Sequence, residues 1–350
     1  MKSGYASFLM LFCLHRFNGE RSLSAIYHLF SGKKSSQTLQ DSKWFQLERF
    51  FGTWKEATLN DIEALAEQLL ENGLISPVQN RSYVLTEEGR RQFNEQMRQA
   101  FFPVHLNGWR YHASEKWFWY RLSLLVQTLS NVLHRTRFEP IHRHEETFIW
   151  VKQYLLSQRK TARELAQTLY EEIYDILSSV SEEEATVFTL RLTSFERIGW
   201  TNEQIASLLQ KDPVYVHFQF QNVLHYMMAT AEAKQPSVLY ELMHDLSLPI
   251  PLTFSTRKTY EWLLRGKSIE EIAKLRRLKR STIEDHVVEI AANIPQFSIW
   301  PFVSEKKAEK IMETVRKLRT RKLKVIRDAI ADDVSYFEIR LVLAKEGKMW

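Results

Sequence analysis

The chain has 350 residues, 44% hydrophobic and 26% charged, which gives enough apolar side chain for sizeable cores in two or three domains and excludes gross disorder. Ten Gly and nine Pro suit helices joined by short turns better than a β-sandwich or barrel, and a single cysteine, Cys13, excludes an intramolecular disulfide and points to a reducing, cytoplasmic setting. The formal net charge of +6 is unevenly spread: residues 306–327 hold ten Lys/Arg against two Glu, residues 265–286 hold seven basic against four acidic residues, and the remainder is net negative.

Residues 1–105 read as one winged-helix-like domain. The apolar run over residues 5–14 ends at His15-Arg16, too early for a membrane span, and no small-residue cleavage site follows. It is expected to be a buried first helix, Gly4–Phe17. No other apolar run approaches ~18 residues, so no membrane span is expected. A second helix covers Arg21–Phe30, and Ser35/Ser36 can cap a third that runs to Phe45. The next covers Asn60–Asn72, with Leu65, Leu69 and Leu70 on one face and Gly73 as its stop. Leu74–Thr86 reads as two short strands around Gln79-Asn80-Arg81, followed by a helix from Glu87.

Residues 106–185 form an aromatic-rich helical domain. Trp117-Phe118-Trp119-Tyr120 must point all round its helix, which suits burial on most sides; a nucleic-acid stacking platform is the alternative. His142-Arg143-His144-Glu145-Glu146 lacks metal-site spacing and reads as a loop or helix start after Pro140.

An internal repeat follows. Gly199-Trp200-Thr201-Asn202-Glu203-Gln204-Ile205-Ala206 aligns with Gly266-Lys267-Ser268-Ile269-Glu270-Glu271-Ile272-Ala273, and Asp212-Pro213-Val214-Tyr215-Val216 aligns onward with Lys279-Arg280-Ser281-Thr282-Ile283. Residues 186–252 are therefore expected to be a degenerate helix-turn-helix copy, and residues 253–300 the full one. In the full copy Tyr260, Leu263 and Leu264 face inward on the first helix. Ser268 and Glu271 form a capping box, Ile272, Ala273 and Leu275 form the buried side, and Ser281 with Glu284 forms a second box. Ile283, Val287 and Ile290 face the core. Arg276, Arg277, Lys279 and Arg280 lie in or beside the turn, in reach of phosphates, and Ser281, Thr282 and His286 begin the exposed face that would read base edges. Asp285 and Glu289 share that face and oppose phosphate approach, so a packing or protein-contact unit is the alternative. The first copy has Lys211 and Asp212 at its turn and Phe218, Phe220 and Tyr226 on its third helix, which suit structure or protein contact.

Residues 301–350 form a basic helical tail. One long helix is expected over 304–327, capped by Ser304, with Ile311, Val315, Leu318, Val325 and Ile326 as its apolar stripe and Arg316, Lys317, Arg319, Arg321, Lys322 and Lys324 flanking it. Such a helix suits a DNA backbone, an anionic membrane surface or plain solvation.

The run Gly266–Ala273, with Arg276-Arg277-Leu278 and Ser281–His286, resembles the helix-turn-helix domain at the C-terminal end of some RecQ-type DNA helicases. Gly19-Glu20-Arg21, His28–Lys33, Ser35-Ser36-Gln37-Thr38 and the tail Asp332–Arg340 resemble the YpbB family of Firmicutes. The family's genes usually lie beside a RecQ-type helicase gene. That resemblance implies a nucleoid-associated protein that supplies in trans what the fused domain supplies in cis: engaging DNA or docking the helicase in repair or recombination.

The phosphate-binding loop of a helicase is absent. Glu261 stands where the first glycine before Gly266-Lys267-Ser268 is required, and Gly32-Lys33-Lys34-Ser35 fails likewise. The expectation is a mainly α, non-catalytic protein without cofactor, metal or small-molecule substrate. A transcription regulator and a scaffold without DNA contact are the alternatives.

Overall fold

Capping chemistry sets many of the helix boundaries. The computed structural model describes residues 4–78, 81–246, 252–330 and 334–346. The expected turn residues Gln79-Asn80 and the tail residues Asp332-Asp333 lie outside the described residues. Three helices open the chain: α1 (Tyr5–Phe17), α2 (Leu23–Ser31) and α3 (Ser36–Trp44), the last capped by Ser35, which accepts the Thr38 N–H. α4 (Leu59–Glu71) starts in a Thr58/Asp61 capping box. Its buried stripe is Ile62, Ala66 and Leu69, while Leu70, expected inward, is exposed. β1 (Ile75–Pro77) and β2 (Tyr83–Leu85) pair antiparallel with Ile75 opposite Leu85, giving the expected hairpin, and α5 (Glu87–Gln99) follows. A Cβ on Gly89 would stand 1.9 Å from the Leu74 carbonyl oxygen, so only glycine lets α5 sit against the hairpin.

The chain continues through α6 (Gly108–Tyr111), α7 (Glu115–Leu133), α8 (Glu145–Ser157), α9 (Ala162–Leu177), α10 (Glu182–Leu190), α11 (Asn202–Leu209), α12 (Pro213–Ala233) and α13 (Val238–Glu241). It ends with α14 (Phe254–Leu264), α15 (Ile269–Arg276), α16 (Arg280–Asn293), α17 (Glu305–Leu318), α18 (Leu323–Ala329) and α19 (Tyr336–Glu346). The protein is mainly helical, with one two-stranded sheet among the described residues. No helix among them is long and apolar enough to cross a membrane.

The chain divides into two compact units that cut across the expected segments. One comprises residues 1–8 with 96–248, the other residues 9–95 with 249–350. The first unit is built on α7 and α12. Phe118 and Trp119 sit in its core with Phe188, Val216 and Phe220, so these rings are packing groups and not a stacking platform. His142 and His144 both stack on Tyr120, with ring centroids 4.1 and 4.9 Å away.

A polar network crosses this core. His225 is fully buried, its Nδ1 accepts the Asn107 N–H at 2.9 Å, and its Nε2 lies 2.6 Å from Glu115 Oε2. An accepting Nδ1 puts the proton on Nε2, aimed at the carboxylate. Asn222 donates to Glu184 Oε1 at 2.7 Å and accepts the His105 N–H at 2.8 Å. The partners are far apart in sequence, and each satisfies a group that would be costly to bury alone.

The repeat is written in the backbone. α11 begins in a Thr201/Gln204 capping box and α15 in the equivalent Ser268/Glu271 box. α11 ends at Gln210 and α15 at Arg277, both left-handed, and α12 and α16 each start three residues later. In the first copy Lys211 pairs with Glu183 at 3.8 Å and Asp212 accepts the N–H groups of Tyr5 and Val214. Phe218 and Phe220 are buried.

The second unit brings α3 and α19 onto α16. The N-terminal helices and the helix-turn-helix therefore share one unit. α14 turns Thr256 and Thr259 inward, both fully buried, while Leu264 is exposed. Ile269 and Ile272 are the buried residues of α15, and Leu275, expected inward, is 55% exposed. The expected long tail helix is two helices. Arg319 takes a left-handed conformation at φ 47°, its N–H bonds the Val315 carbonyl, and α17 ends there. The break lets α18 fold back so that α17 and α18 pack on each other and both on α19, burying Ile311, Val315 and Ile326 while Leu318 and Val325 stay exposed.

Candidate nucleic-acid interface

The turn between α15 and α16 holds most of the expected contact residues, and the structure sorts them into three groups. Arg277 closes α15 with its left-handed backbone, its N–H on the Ala273 and Lys274 carbonyls and its side chain exposed. Lys279 occupies the N-cap of α16, also exposed, and makes no side-chain cap bond. Neither meets a carboxylate within ion-pair distance among the described residues. These two are the turn's open cations.

Arg280 is exposed but committed, at 2.7 Å from Glu270 and 2.9 Å from Glu284. That pair explains why the second capping box does not form. α16 starts two residues early, at Arg280 with Lys279 as its N-cap, and Glu284 turns to the guanidinium, leaving Ser281 as an exposed residue of the first turn.

Arg276 points inward, a correction to its expected place among the phosphate contacts. It donates to the Ser255 carbonyl at 2.8 Å, to Ser255 Oγ at 3.0 Å and to Thr259 Oγ1, and burial holds its pKa below the ordinary arginine value. His286 is likewise buried, with Nδ1 2.8 Å from Thr259 Oγ1. Desolvation, with Arg276 beside it, lowers its pKa to about 4, and it is burial against Thr259 that withdraws the ring from a base edge. Thr282 is half-buried and lines a pocket of about 490 Å³ with Lys34, Ser36, Phe254 and His286.

The reason lies in what covers α16. The two carboxylates expected to repel phosphate are used internally. Asp285 pairs with Arg340 of α19, which also donates to Gln40 of α3 at 3.0 Å. Glu289 accepts the Thr253 N–H at 2.5 Å and the Thr256 hydroxyl at 2.5 Å, and burial raises its pKa. The helix that would enter a groove is sheathed along much of its length by α3 and α19, leaving its first turn open. Sequence spacing identifies the helix but not its cover, because Gln40 and Arg340 come from opposite ends of the chain.

The tail residues divide similarly. Arg316, Lys317, Arg319, Lys322 and Lys324 are exposed, none with a carboxylate in ion-pair reach among the described residues. Arg321 is a correction. Its N–H bonds Glu20 Oε2 at 2.8 Å, its guanidinium lies 5.0 Å from the Phe45 ring centroid, and burial lowers its pKa.

Residues 255–343 match the family described as a helix-turn-helix domain. The match runs past the expected 253–300 segment, through α17 and α18 and into α19, so the two basic helices belong to the matched domain. Over its full length the chain is 37% identical across 352 residues to Protein YpbB of Bacillus subtilis (strain 168), covering 100% of both sequences. The chain belongs to the YpbB family. No solved structure matches it. The residues that suggested the family converge within the second unit: Gly19-Glu20-Arg21 lead into α2, His28 lies on α2, Ser35–Thr38 open α3, and Arg340 of the tail ties α19 to α3 and α16.

Proposed function

We propose that this protein is a non-catalytic, DNA-associated accessory factor that contacts the DNA backbone and partners a RecQ-type helicase in repair or recombination. One observation carries the DNA part. Arg277 and Lys279 at the turn, and Arg316, Lys317, Arg319, Lys322 and Lys324 on the tail, stand exposed without carboxylate partners among the described residues, in a helix-turn-helix unit whose third helix is covered. Open cations without an open reading face favour sequence-blind phosphate contact. A transcription regulator fits less well for the same reason. The helicase part rests on the family resemblance, and α4 suits docking: Asp61, Glu63, Glu67 and Glu71 make it acidic, with no basic residue, so the helix before the hairpin is a poor DNA contact.

The test is salt-dependent DNA binding by the full-length chain. Affinity should fall steeply with salt and show no sequence preference. Replacing the five exposed tail cations with Ala should flatten the slope by about one for each phosphate that is no longer neutralised. An unchanged slope would leave the scaffold reading in place. Co-purification with the RecQ-type helicase, with and without DNA, tests the partnership; no complex in either condition overturns it.

A further inference from the structure

The second unit carries a polar cleft of which the DNA-contact reading uses only Lys322. It has a volume of about 600 Å³ and lies between α2, the start of α3 and the loop before α2. Arg21, Ser22, Ser24, His28, Lys33 and Lys322 line it. Its floor is fixed. Arg21 grips Asp41 through Nε at 2.8 Å and Nη2 at 2.7 Å, and lies over the Phe45 ring. This fork is nearly buried, and it uses three of the five guanidinium N–H donors when the bond from Nη1 to the Glu20 carbonyl is included.

The charge does not balance. Burial first, and then Arg21 and Arg16, lower the Arg321 pKa, against only Glu20 and Asp41 on the acidic side. Lys33 and Lys322 add two more cations to the cleft and meet no carboxylate among the described residues. Lys33 Nζ instead lies 3.1 Å from His28 Nε2. An ammonium can only donate, so Nε2 accepts and the ring proton sits on Nδ1, which is buried with no acceptor among the described residues. The hydroxyl of Ser22 makes no cap bond, and that of Ser24 has no partner among the described residues. A roomy cleft with surplus cations, spare N–H donors and open hydroxyls is the donor set of a phosphoryl group. Carboxylate ligands fit less well, because the donors are many and converge from more than one side.

We propose that this cleft binds a phosphoryl group, seated on Lys33 and Lys322 and on the hydroxyls of Ser22 and Ser24, with Arg21 as its fixed floor. Lys322 also belongs to the exposed tail cations, so a strand tracking the tail would deliver its phosphate here; a free phosphorylated small molecule is the other source. The strand source rests on the DNA-contact reading, whereas the cleft's chemistry does not.

The test uses the full-length chain, titrated by calorimetry with inorganic phosphate, and separately with one short single-stranded oligonucleotide carrying either a 5′-phosphate or a 5′-hydroxyl. Lys33→Ala and Ser24→Ala leave the Arg21–Asp41 floor intact. Phosphate should bind, each variant should weaken it, and Lys33→Ala should cost about tenfold, as expected for one charged hydrogen bond. Circular dichroism confirms that the variants fold. If the phosphorylated strand binds more tightly than the hydroxyl strand and only that advantage falls in Lys33→Ala, the source is a strand end. If phosphate binding responds to Lys33→Ala but both strands bind alike, the source is a free phosphorylated molecule. No phosphate binding, or binding unaltered by both variants, overturns the proposal, while tail-dependent DNA binding would still stand by itself.

Discussion

Gln210 and Arg277 occupy the same left-handed corner of the backbone, at φ 53° and 52°, each ending the second helix of its repeat copy. Neither is glycine, so each holds a conformation that a side chain makes costly. At Gln210 the side chain has no role in charge, and Gln210→Gly is expected to stabilise the fold by up to about 1 kcal/mol. At Arg277 the strained position carries an open cation. Arg277→Gly should keep or raise the melting temperature while weakening DNA binding and reducing its salt slope. Thermal melts paired with binding isotherms check both, and a variant that loses stability and affinity together would show that Arg277 is structural.

Arg276 and Lys279 separate the structural from the exposed cations of the same turn. Arg276→Ala removes bonds to Ser255 and Thr259 and is expected to destabilise the second unit by about 1–3 kcal/mol. Lys279→Ala should leave chemical denaturation unchanged within about 0.5 kcal/mol and lower DNA affinity. The reverse pattern, with Lys279→Ala unfolding early and Arg276→Ala binding weakly but folding well, would contradict the placement of both side chains.

His286 makes the same region sensitive to acid. Its pKa is lowered from 6.5 to about 4 by burial first and Arg276 second, with Asp285 opposing. The unfolded chain thus takes up this proton at higher pH than the folded one. The stability it contributes is present above pH 6.5 and is lost as the pH falls towards 4. His142, also lowered to about 4 by burial and His144, acts in the same direction in the other unit. Glu289 acts oppositely, because burial raises its pKa and the folded state takes up its proton first. His286→Gln should flatten the decline between pH 6.5 and 4 in denaturant titrations; a slope equal to that of the wild type would remove His286 as a cause.

Local chemistry made much of the fold legible. The Thr201 and Ser268 capping boxes, the Ser35 cap, Gly73 after α4 and the paired helices of the repeat all depend on residues within a few positions of each other. The errors came from partners distant in sequence. Spacing placed His286 and Thr282 on an exposed face because nothing near them in sequence reveals that α3 and α19 pack there. Arg276 and Arg321 look like their basic neighbours, and only Ser255, Thr259, Phe45 and Glu20 turn them into structural groups. The break at Arg319 has no Gly or Pro to announce it. The Glu115–His225 contact joins residues in different expected segments, and neither has a local motif.

The buried contact of Glu115 with His225 allows a graded test of what holds the first unit. His225 donates from Nε2 to a carboxylate that lies almost wholly out of water, so removing the acceptor leaves a buried donor unsatisfied. Glu115→Gln keeps an oxygen in place and should cost less than Glu115→Leu, for which about 3 kcal/mol or more is expected because a buried polar network is left without its acceptor. Equal destabilisation in urea titrations would mean that the carboxylate charge, which both variants remove, and not the acceptor oxygen that Gln keeps, is what matters there.

Arg340 decides whether the covered helix hides a reading face. It ties α19 to Asp285 on α16 and to Gln40 on α3, so Arg340→Ala should loosen the cover and destabilise the second unit by about 1–3 kcal/mol. Loosening the cover would also free Asp285, whose negative charge opposes productive phosphate contact. Binding should therefore stay sequence-blind, and its salt slope should stay close to that of the wild type because the open cations are untouched. A random-site selection on wild type and Arg340→Ala measures this. A consensus sequence that emerges only in the variant would mean that α16 is a masked base reader and that α3 and α19 gate it.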